Sequence, residues 1–290
     1  MTMNIHTEAR FESEICADMK KLGWLYTPPT ASDVSPDAKL YDRTHALIPD
    51  DLQAWLEASQ PDNWEKITKT HGTKALTEVM ARLRKTLDDH GTLHVLHHGF
   101  EMLGLRRPVG VAQFRPALAM NPDLQARYAA NRLRVVRQVR YSLHNENCID
   151  LVLFLNGLPM ATVEIKTDYT QAVEDAEYQY KQDRNPKVAG KNATEPLLSF
   201  PGGALVHFAL SNSEVRMTTM LAGMDTRFIP FNQGSNGAGE SGGAGNPPNP
   251  TGYATDYLWK QVWEKDSWLE ILGRYVVPER NEKKRLVRVV

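Results

Sequence analysis

Phe11, Ile15, Met19 and Leu22 recur every three or four residues, and Gly23 follows them. That period places the apolar side chains on one helical face and predicts a first amphipathic helix that stops at the glycine. Turn-forming residues fill Thr27 to Pro36. Two further helical stretches follow. Pro49 to Ala58 carries Leu52, Trp55 and Leu56 on one face. Lys74 to Leu87 carries Leu76, Val79, Met80, Leu83 and Leu87 at helical spacing.

Near residue 133 the texture changes from helical to β-rich. Leu133 to Leu143 contains Val135, Val136 and Val139, and Cys148 to Leu155 reads CIDLVLFL, a strand buried on both faces. Asn156-Gly157 is a hairpin-turn signal, because both central positions of a tight primed turn need a positive φ. Met160 to Thr167 returns as the partner strand. Thr170 to Gln182 reads as a helix with Ala172, Val173, Ala176 and Tyr180 inward. Leu205 to Leu210 and Val215 to Met220 read as further strands.

Asn232 to Thr251 (NQGSNGAGESGGAGNPPNPT) has too little apolar surface to order itself and reads as a flexible loop or linker. Tyr257 to Leu272 beyond it reads as one tryptophan-rich amphipathic helix. Its Trp259, Trp263 and Trp268 suggest docking onto something outside the chain. The basic-then-apolar ending, Arg280 to Val289, reads as a cut through a longer protein. No internal repeat is present. The expected organisation is therefore a main domain over 1–231, a linker over 232–252 and a helical connector over 253–290.

Composition narrows the class. The chain has 290 residues, 41% hydrophobic and 24% charged, as in an ordinary globular protein. Its 34 Lys and Arg against 35 Asp and Glu leave a net charge of -1, so any basic surface is local. Cys16 and Cys148 are the only cysteines, which excludes a disulfide framework and a four-cysteine zinc site. The most apolar run, Ile149 to Ile165, is broken by Asp150, Asn156, Gly157, Pro159 and Glu164 and cannot span a membrane as a helix. Met1 to Phe11 lacks the apolar core of a signal peptide. A cytoplasmic protein is expected.

The strongest chemical constellation is Asp150 with Glu164-Ile165-Lys166. Alternation along a strand puts Glu164 and Lys166 on one face. The Asn156-Gly157 hairpin folds Glu164 back towards Asp150. Two carboxylates and an ammonium then meet at one end of a sheet, the set needed for metal-assisted phosphodiester hydrolysis. The carboxylates would hold Mg²⁺ through oxygen ligands, and Lys166 would orient a water or steady charge on phosphorus. The alternative is a salt bridge on a solvated strand. Against it, charges set into apolar strands are costly without partners or work to do.

The stretch DLVLFLNGLPMATVEIK, Asp150 to Lys166, resembles the nuclease motif of the restriction subunit of type I restriction–modification enzymes. The resemblance extends through VVRQVRYS (135–142), QYKQDRNP (179–186), VHFALSNSEVRMTT (206–219), TRFIPFNQG (226–234) and YLWKQVW (257–263). It implies an α/β fold with a restriction-endonuclease-like PD-(D/E)xK core, a mixed central sheet flanked by helices. It also implies Asp150 and Glu164 as metal ligands, Lys166 as catalytic lysine and Gln179 as a catalytic glutamine from a Q-x-x-x-Y helix motif; helical phase sets Gln179 with Ala172 and Ala176, towards the sheet. Position 183 is Asp183 where that motif has tyrosine, although Tyr180 lies nearby on the same helix. The implied partners are DNA and the methylation and specificity subunits. An ATP-driven motor would lie outside this chain, which has no G-x-x-x-x-G-K-[ST] of its own. The first helix of such nucleases often adds an acidic group. Glu12 and Glu14 both qualify, and helical phase favours Glu12.

Other candidates carry less. His94 and His98 stand at i, i+4 with His97 beside them, but without H-E-x-x-H or a third ligand in the sequence nearby. Arg132, Arg134, Arg137 and Arg140 either contact DNA phosphates or form a solvated strand edge. Arg82, Arg84 and Lys85 read as a solvated helix face. Two rival functions remain open: a stand-alone repair-type nuclease of the same site class, and a non-catalytic anchoring module.

Overall fold

The computed structural model describes residues 8–116, 121–169, 171–235, 243–280 and 286–289. Residues 1–7, part of the Gly/Asn/Pro segment (236–242) and part of the basic ending (281–285 and 290) lie outside the described residues. The N-terminal half is helical: α1 (Glu8–Lys21), α2 (Pro49–Ser59), α3 (Pro61–His71), α4 (Ala75–His90), α5 (Thr92–His98) and α6 (Pro122–Ala129). Helices α2, α3 and α6 each begin on proline, whose fixed φ and missing N–H suit the first turn. Helices α1, α2 and α4 lie where the apolar period predicts them. Helices α3, α5 and α6 are not marked by it, being short or carrying few apolar residues.

The sheet begins at β1 (Leu133–Arg140), followed by β2 (Cys148–Leu155) and β3 (Leu158–Ile165). Helix α7 (Val173–Asp183) crosses to β4 (Val206–Leu210), then β5 (Val215–Thr218) and β6 (Ile229–Pro230). These strands lie in sequence order in one six-stranded sheet. Every pairing is antiparallel except β3–β4, which is parallel and bridged by α7. The expected mixed sheet flanked by helices is therefore present. Asn156 (φ 51) and Gly157 (φ 84) form the β2–β3 turn. A Cβ on Gly157 would meet the Ile48 carbonyl at 2.4 Å, so the turn is sealed under the start of α2.

The alternation of the strands splits the core. Val135, Leu151, Leu153, Ala161, Val163, Ile165, Phe208 and Leu210 pack towards α1 through Phe11, Ile15, Cys16 and Met19. Val136, Val152 and Phe154 pack with Tyr180 on the other face, where Val173 and Ala176 also cover Ala209.

Two expectations about the C-terminal segment are corrected. Tyr257 to Leu272 is not one helix. It forms a π-helical turn over Leu258–Val262, helix α8 (Lys265–Glu270) and a second π-helical turn over Ile271–Tyr275. The break falls at Glu264, whose extended backbone (ψ 142) stops the first turn. Its carboxylate then accepts from the Asp266 and Ser267 N–H groups to cap α8. The tryptophans do not await an outside surface either. Trp259, Trp263 and Trp268 are 1%, 0% and 3% exposed, and they belong to the α1-side core. Trp259 meets the Phe11 ring edge-on at 5.9 Å, and Trp24 Nε1 donates to the Trp263 carbonyl at 2.8 Å. A large apolar surface that the sequence leaves unassigned is buried within the chain itself. Beyond it, β7 (Pro278–Arg280) pairs antiparallel with β8 (Leu286–Val289). No helix among the described residues is long and apolar enough to cross a membrane.

Candidate functional site

The β2–β3 ladder runs from Leu155↔Leu158 to Leu151↔Val163, with a bulge near Leu153. One step further, that register sets Asp150 opposite Glu164, where the backbone pairing stops. Asp150 fills the gap with its side chain: Oδ2 accepts the Ile165 N–H at 2.8 Å. Oδ1 accepts from Gln138 Nε2 at 3.1 Å. The carboxylate thus ties together β1, β2 and β3 at one end of the sheet.

Glu164 is wholly buried on the α7 face. Arg184, just past the end of α7, donates from Nε to Glu164 Oε1 at 2.6 Å and from Nη2 to the Cys148 carbonyl at 2.8 Å. Glu164 Oε2 is buried without a hydrogen-bond partner. Burial first, and then the neighbouring Asp150 carboxylate, push the Glu164 pKa well above the usual carboxylate range, against the opposing pull of Arg184.

A third carboxylate approaches from α1. Glu12 is buried, with Arg137 Nε and Gln138 Nε2 each donating to it at 3.0 Å. Burial, followed by the charge on Asp150, raises its pKa to about 7 despite Arg137 and Gln138. Both donors reach Glu12 because β1 slips its alternation. Gln138 has φ 50, in the left-handed region, so Arg137 and Gln138 both turn to the α1 side before Val139 returns to the other face. Such a conformation costs of order 1–3 kcal/mol and persists only where its surroundings over-determine it. Glu14 points elsewhere, pairing with Arg10 at 2.7 Å and accepting from Tyr253.

Lys166 departs from the expected geometry. Its N–H donates to the Leu210 carbonyl, and β3 ends one residue earlier. Strand alternation no longer governs it, and its ammonium lies 3.5 Å from Glu8 on α1, while Glu164 faces Arg184. Gln179 also departs. The inward stripe of α7 is Val173, Ala176 and Tyr180, whereas Ala172 is exposed and Gln179 half-buried on the flank. The larger apolar side chains take the buried phase. Tyr180 OH lies 2.8 Å from Thr162 Oγ1, which in turn is 2.7 Å from His207 Nδ1, a buried polar chain beneath Glu164. At Asp183 the backbone carbonyl is what packs, accepting from Asn147 Nδ2 at 3.2 Å.

The basic stretch on β1 is largely consumed by ion pairs. Arg132 and Arg134 converge on the buried Asp51 at 2.9 and 2.6 Å, and Arg137 is taken by Glu12. The expectation of a solvated edge fails for Arg134 and Arg137, which are buried in these pairs, while Arg132 stays partly exposed. Arg140 alone of the four is mostly exposed, 3.3 Å from Glu146. Arg84 is likewise buried rather than solvated, donating to the Gly202 carbonyl and to Asp88. The His90, His94 and His98 rings lie 5.0 and 4.6 Å apart in succession, each tilted against the next. Among the described residues, no three His, Cys, Asp or Glu side chains stand together in a metal-holding cluster. Asp150 and Glu164 form a pair, and the Gln138 amide separates Glu12 from Asp150.

Two oxygen-donor carboxylates, one with an orphaned buried oxygen, suit a hard divalent ion. Mg²⁺ commonly takes one or two protein carboxylates and completes its shell with water and substrate phosphate. A cleft of about 480 Å³, bordered by the Asp150 partner Gln138 but by neither carboxylate of the pair, is lined by Lys39, Arg43, Arg140 and Cys148 together with Asp33, the ion-pair partner of Lys39. Reading the sequence missed Gln138 and Arg184. The consecutive polar pair Arg137-Gln138 inside an alternating strand was the available signal for the first. Arg184 had none, since its partner is set only by the packing of α7.

A family model described as type I restriction enzyme R protein N terminus matches residues 6–226. No curated protein is similar enough to the chain to match it.

Proposed function

The chain belongs to the family of type I restriction enzyme R protein N termini, and from that premise we propose that it carries a Mg²⁺-dependent DNA endonuclease site of the PD-(D/E)xK kind. The observation that carries this reading is the orphaned Glu164 oxygen, buried next to Asp150 where the β2–β3 pairing stops. A buried acceptor left without a donor costs of order 1–3 kcal/mol, a cost that a bound cation removes.

Asp150 and Glu164 would hold the ion. That ion would supply Lewis-acid chemistry, polarising a scissile phosphate and making a nearby water more acidic. Lys166 would leave Glu8 to orient the attacking water or to steady charge on the phosphorus. Gln179, on the flank of α7, would meet the DNA rather than the ion. Lys39, Arg43 and Arg140 line the cleft that Gln138 borders, and would exchange their surface partners Asp33 and Glu146 for a phosphate backbone. ATP-driven translocation would reside outside this chain, and site recognition in the specificity and methylation subunits. The isolated chain is then expected to cut DNA weakly or without sequence preference.

A second reading, a non-catalytic anchoring module, draws on one observation: Glu164 and Lys166 are both already ion-paired, with Arg184 and Glu8. Calorimetric titration of Mg²⁺ in the presence of a short DNA duplex separates the two. Binding that Asp150→Ala abolishes supports the nuclease site. An unmodified protein that takes up no Mg²⁺ even with duplex present overturns it.

A further inference from the structure

We infer that Arg184 is a positioning residue for the metal site, holding Glu164 by one oxygen so that the other is presented to the cation. The inference rests on the proposed Asp150–Glu164 metal site and adds to it a residue outside the ligand pair.

The geometry is specific. Glu164 has two carboxylate oxygens in a wholly buried setting. Arg184 Nε takes Oε1 at 2.6 Å, and Oε2 is left with no partner. The guanidinium is not a loose counter-charge. Its Nη2 donates to the Cys148 carbonyl at 2.8 Å, the first residue of β2, while Nε reaches the penultimate residue of β3. One planar group therefore joins the two strands that carry the acidic pair, at the level where their own hydrogen bonding has stopped. Arg184 is itself buried and follows directly on α7, so the packing of that helix through Val173, Ala176 and Tyr180 sets where the guanidinium sits. A fork of fixed geometry can grip a carboxylate and a carbonyl at once, which a lysine ammonium on a flexible stem cannot reproduce.

The geometry of the group, apart from its charge, makes the inference testable. If Arg184 acted only as a nearby positive charge, Arg184→Lys, which keeps that charge, would bind the cation as the unmodified protein does. As a positioning residue, its removal frees Glu164 to turn and weakens binding. Partners of metal-ligating groups typically contribute about 10–100-fold to metal affinity.

The experiment is a Mn²⁺ titration of the full chain with a short duplex present, read by the paramagnetic resonance of free Mn²⁺ after subtracting the uptake of the duplex alone. It is run on the unmodified protein, Asp150→Ala, Arg184→Gln and Arg184→Lys, with a melting curve for each. The expected result is binding in the unmodified protein, loss in Asp150→Ala, a drop of at least about tenfold in Arg184→Gln, and a smaller drop in Arg184→Lys. Equal or tighter binding in Arg184→Gln, or binding in Arg184→Lys equal to that of the unmodified protein, overturns the positioning role while leaving the metal site standing. A lowered melting temperature with unchanged affinity does the same, because it marks a purely structural ion pair. If Arg184→Gln does not fold, Arg184→Lys decides by the same criterion. Absence of binding in the unmodified protein overturns the metal site itself, and the role of Arg184 with it.

Discussion

Gln138 and Asp150 face each other across the β1–β2 ladder, and the Gln138 amide donates to Asp150 at 3.1 Å and to Glu12 at 3.0 Å. A neutral donor thus spaces two carboxylates that would otherwise repel. Replacing it by Gln138→Glu puts a third acceptor between them. The expected loss is about 2–4 kcal/mol of folding stability near neutral pH, read by urea unfolding. Added Mg²⁺ should restore part of it, and full stability without Mg²⁺ would contradict this account of the spacing.

Glu12 should make stability fall as pH rises. Its folded-state pKa, about 7, lies above the unfolded value of 4.5, so the native state holds the proton across that interval. The stabilisation is complete below about pH 4.5 and is lost as pH climbs through 7, with a span on the order of 3 kcal/mol. Glu12→Gln mimics the protonated form. Its melting temperature should exceed that of the unmodified protein at pH 8, and the gap should close at pH 5.

Buried His207 titrates in the opposite direction. Burial lowers its pKa from 6.5 to about 3, so the unfolded chain takes up the proton first as the solution is acidified. Stability tied to the neutral ring is present above about pH 6.5 and declines as pH falls towards 3. His207→Gln should flatten the acid limb of the denaturation midpoint against pH. An unchanged acid limb would mean that other groups govern it.

Asp51 is wholly buried and receives Arg132 Nε and Arg134 Nε. Asp51→Asn removes the charge that both guanidinium groups share, leaving Arg134 only Asp37 at 3.4 Å, and should cost about 2–3 kcal/mol. DNA affinity per folded molecule should stay the same. A DNA-binding defect without a stability defect would return these arginines to the phosphate-contacting role.

Arg43 and Arg140 line the cleft that Gln138 borders and are partly or mostly exposed, sharing Glu146. Neutralising both to Gln should leave the melting temperature within about a degree, since exposed pairs contribute little. The slope of log affinity for duplex DNA against log salt should fall by about 2. An unchanged slope would place the DNA elsewhere on the surface.

Much of this was legible from residue pattern. The CIDLVLFL strand, the Asn156-Gly157 turn and the returning strand lie where their period and turn chemistry put them. That hairpin brings Asp150 and Glu164 together without any tertiary information. What lay beyond reach depended on packing between distant segments. Strand alternation cannot locate Lys166, because the strand ends at Ile165. Helical phase rightly sets Val173, Ala176 and Tyr180 on the inward face of α7 but widens it to Ala172 and Gln179, which the packing leaves on the flank. The arginines of β1 look alike in sequence, and only the positions of Asp51 and Glu12 on other elements reveal which are neutralised.

The tryptophan segment has a consequence in time as well as in space. Trp24 and the Trp263 carbonyl that it donates to are 239 residues apart, and Phe11 on α1 packs against Trp259. Helix α1, which delivers Glu12, therefore has no complete apolar bed until the chain has been synthesised past Trp263. Contacts of such sequence separation form late and slowly. A nascent chain halted before that point would carry all of Asp150, Glu164, Lys166 and Arg184, and still lack the settled α1 core on which the Glu12 side of the site rests. Assembly of the acidic site is in this way tied to completion of the polypeptide through residue 272.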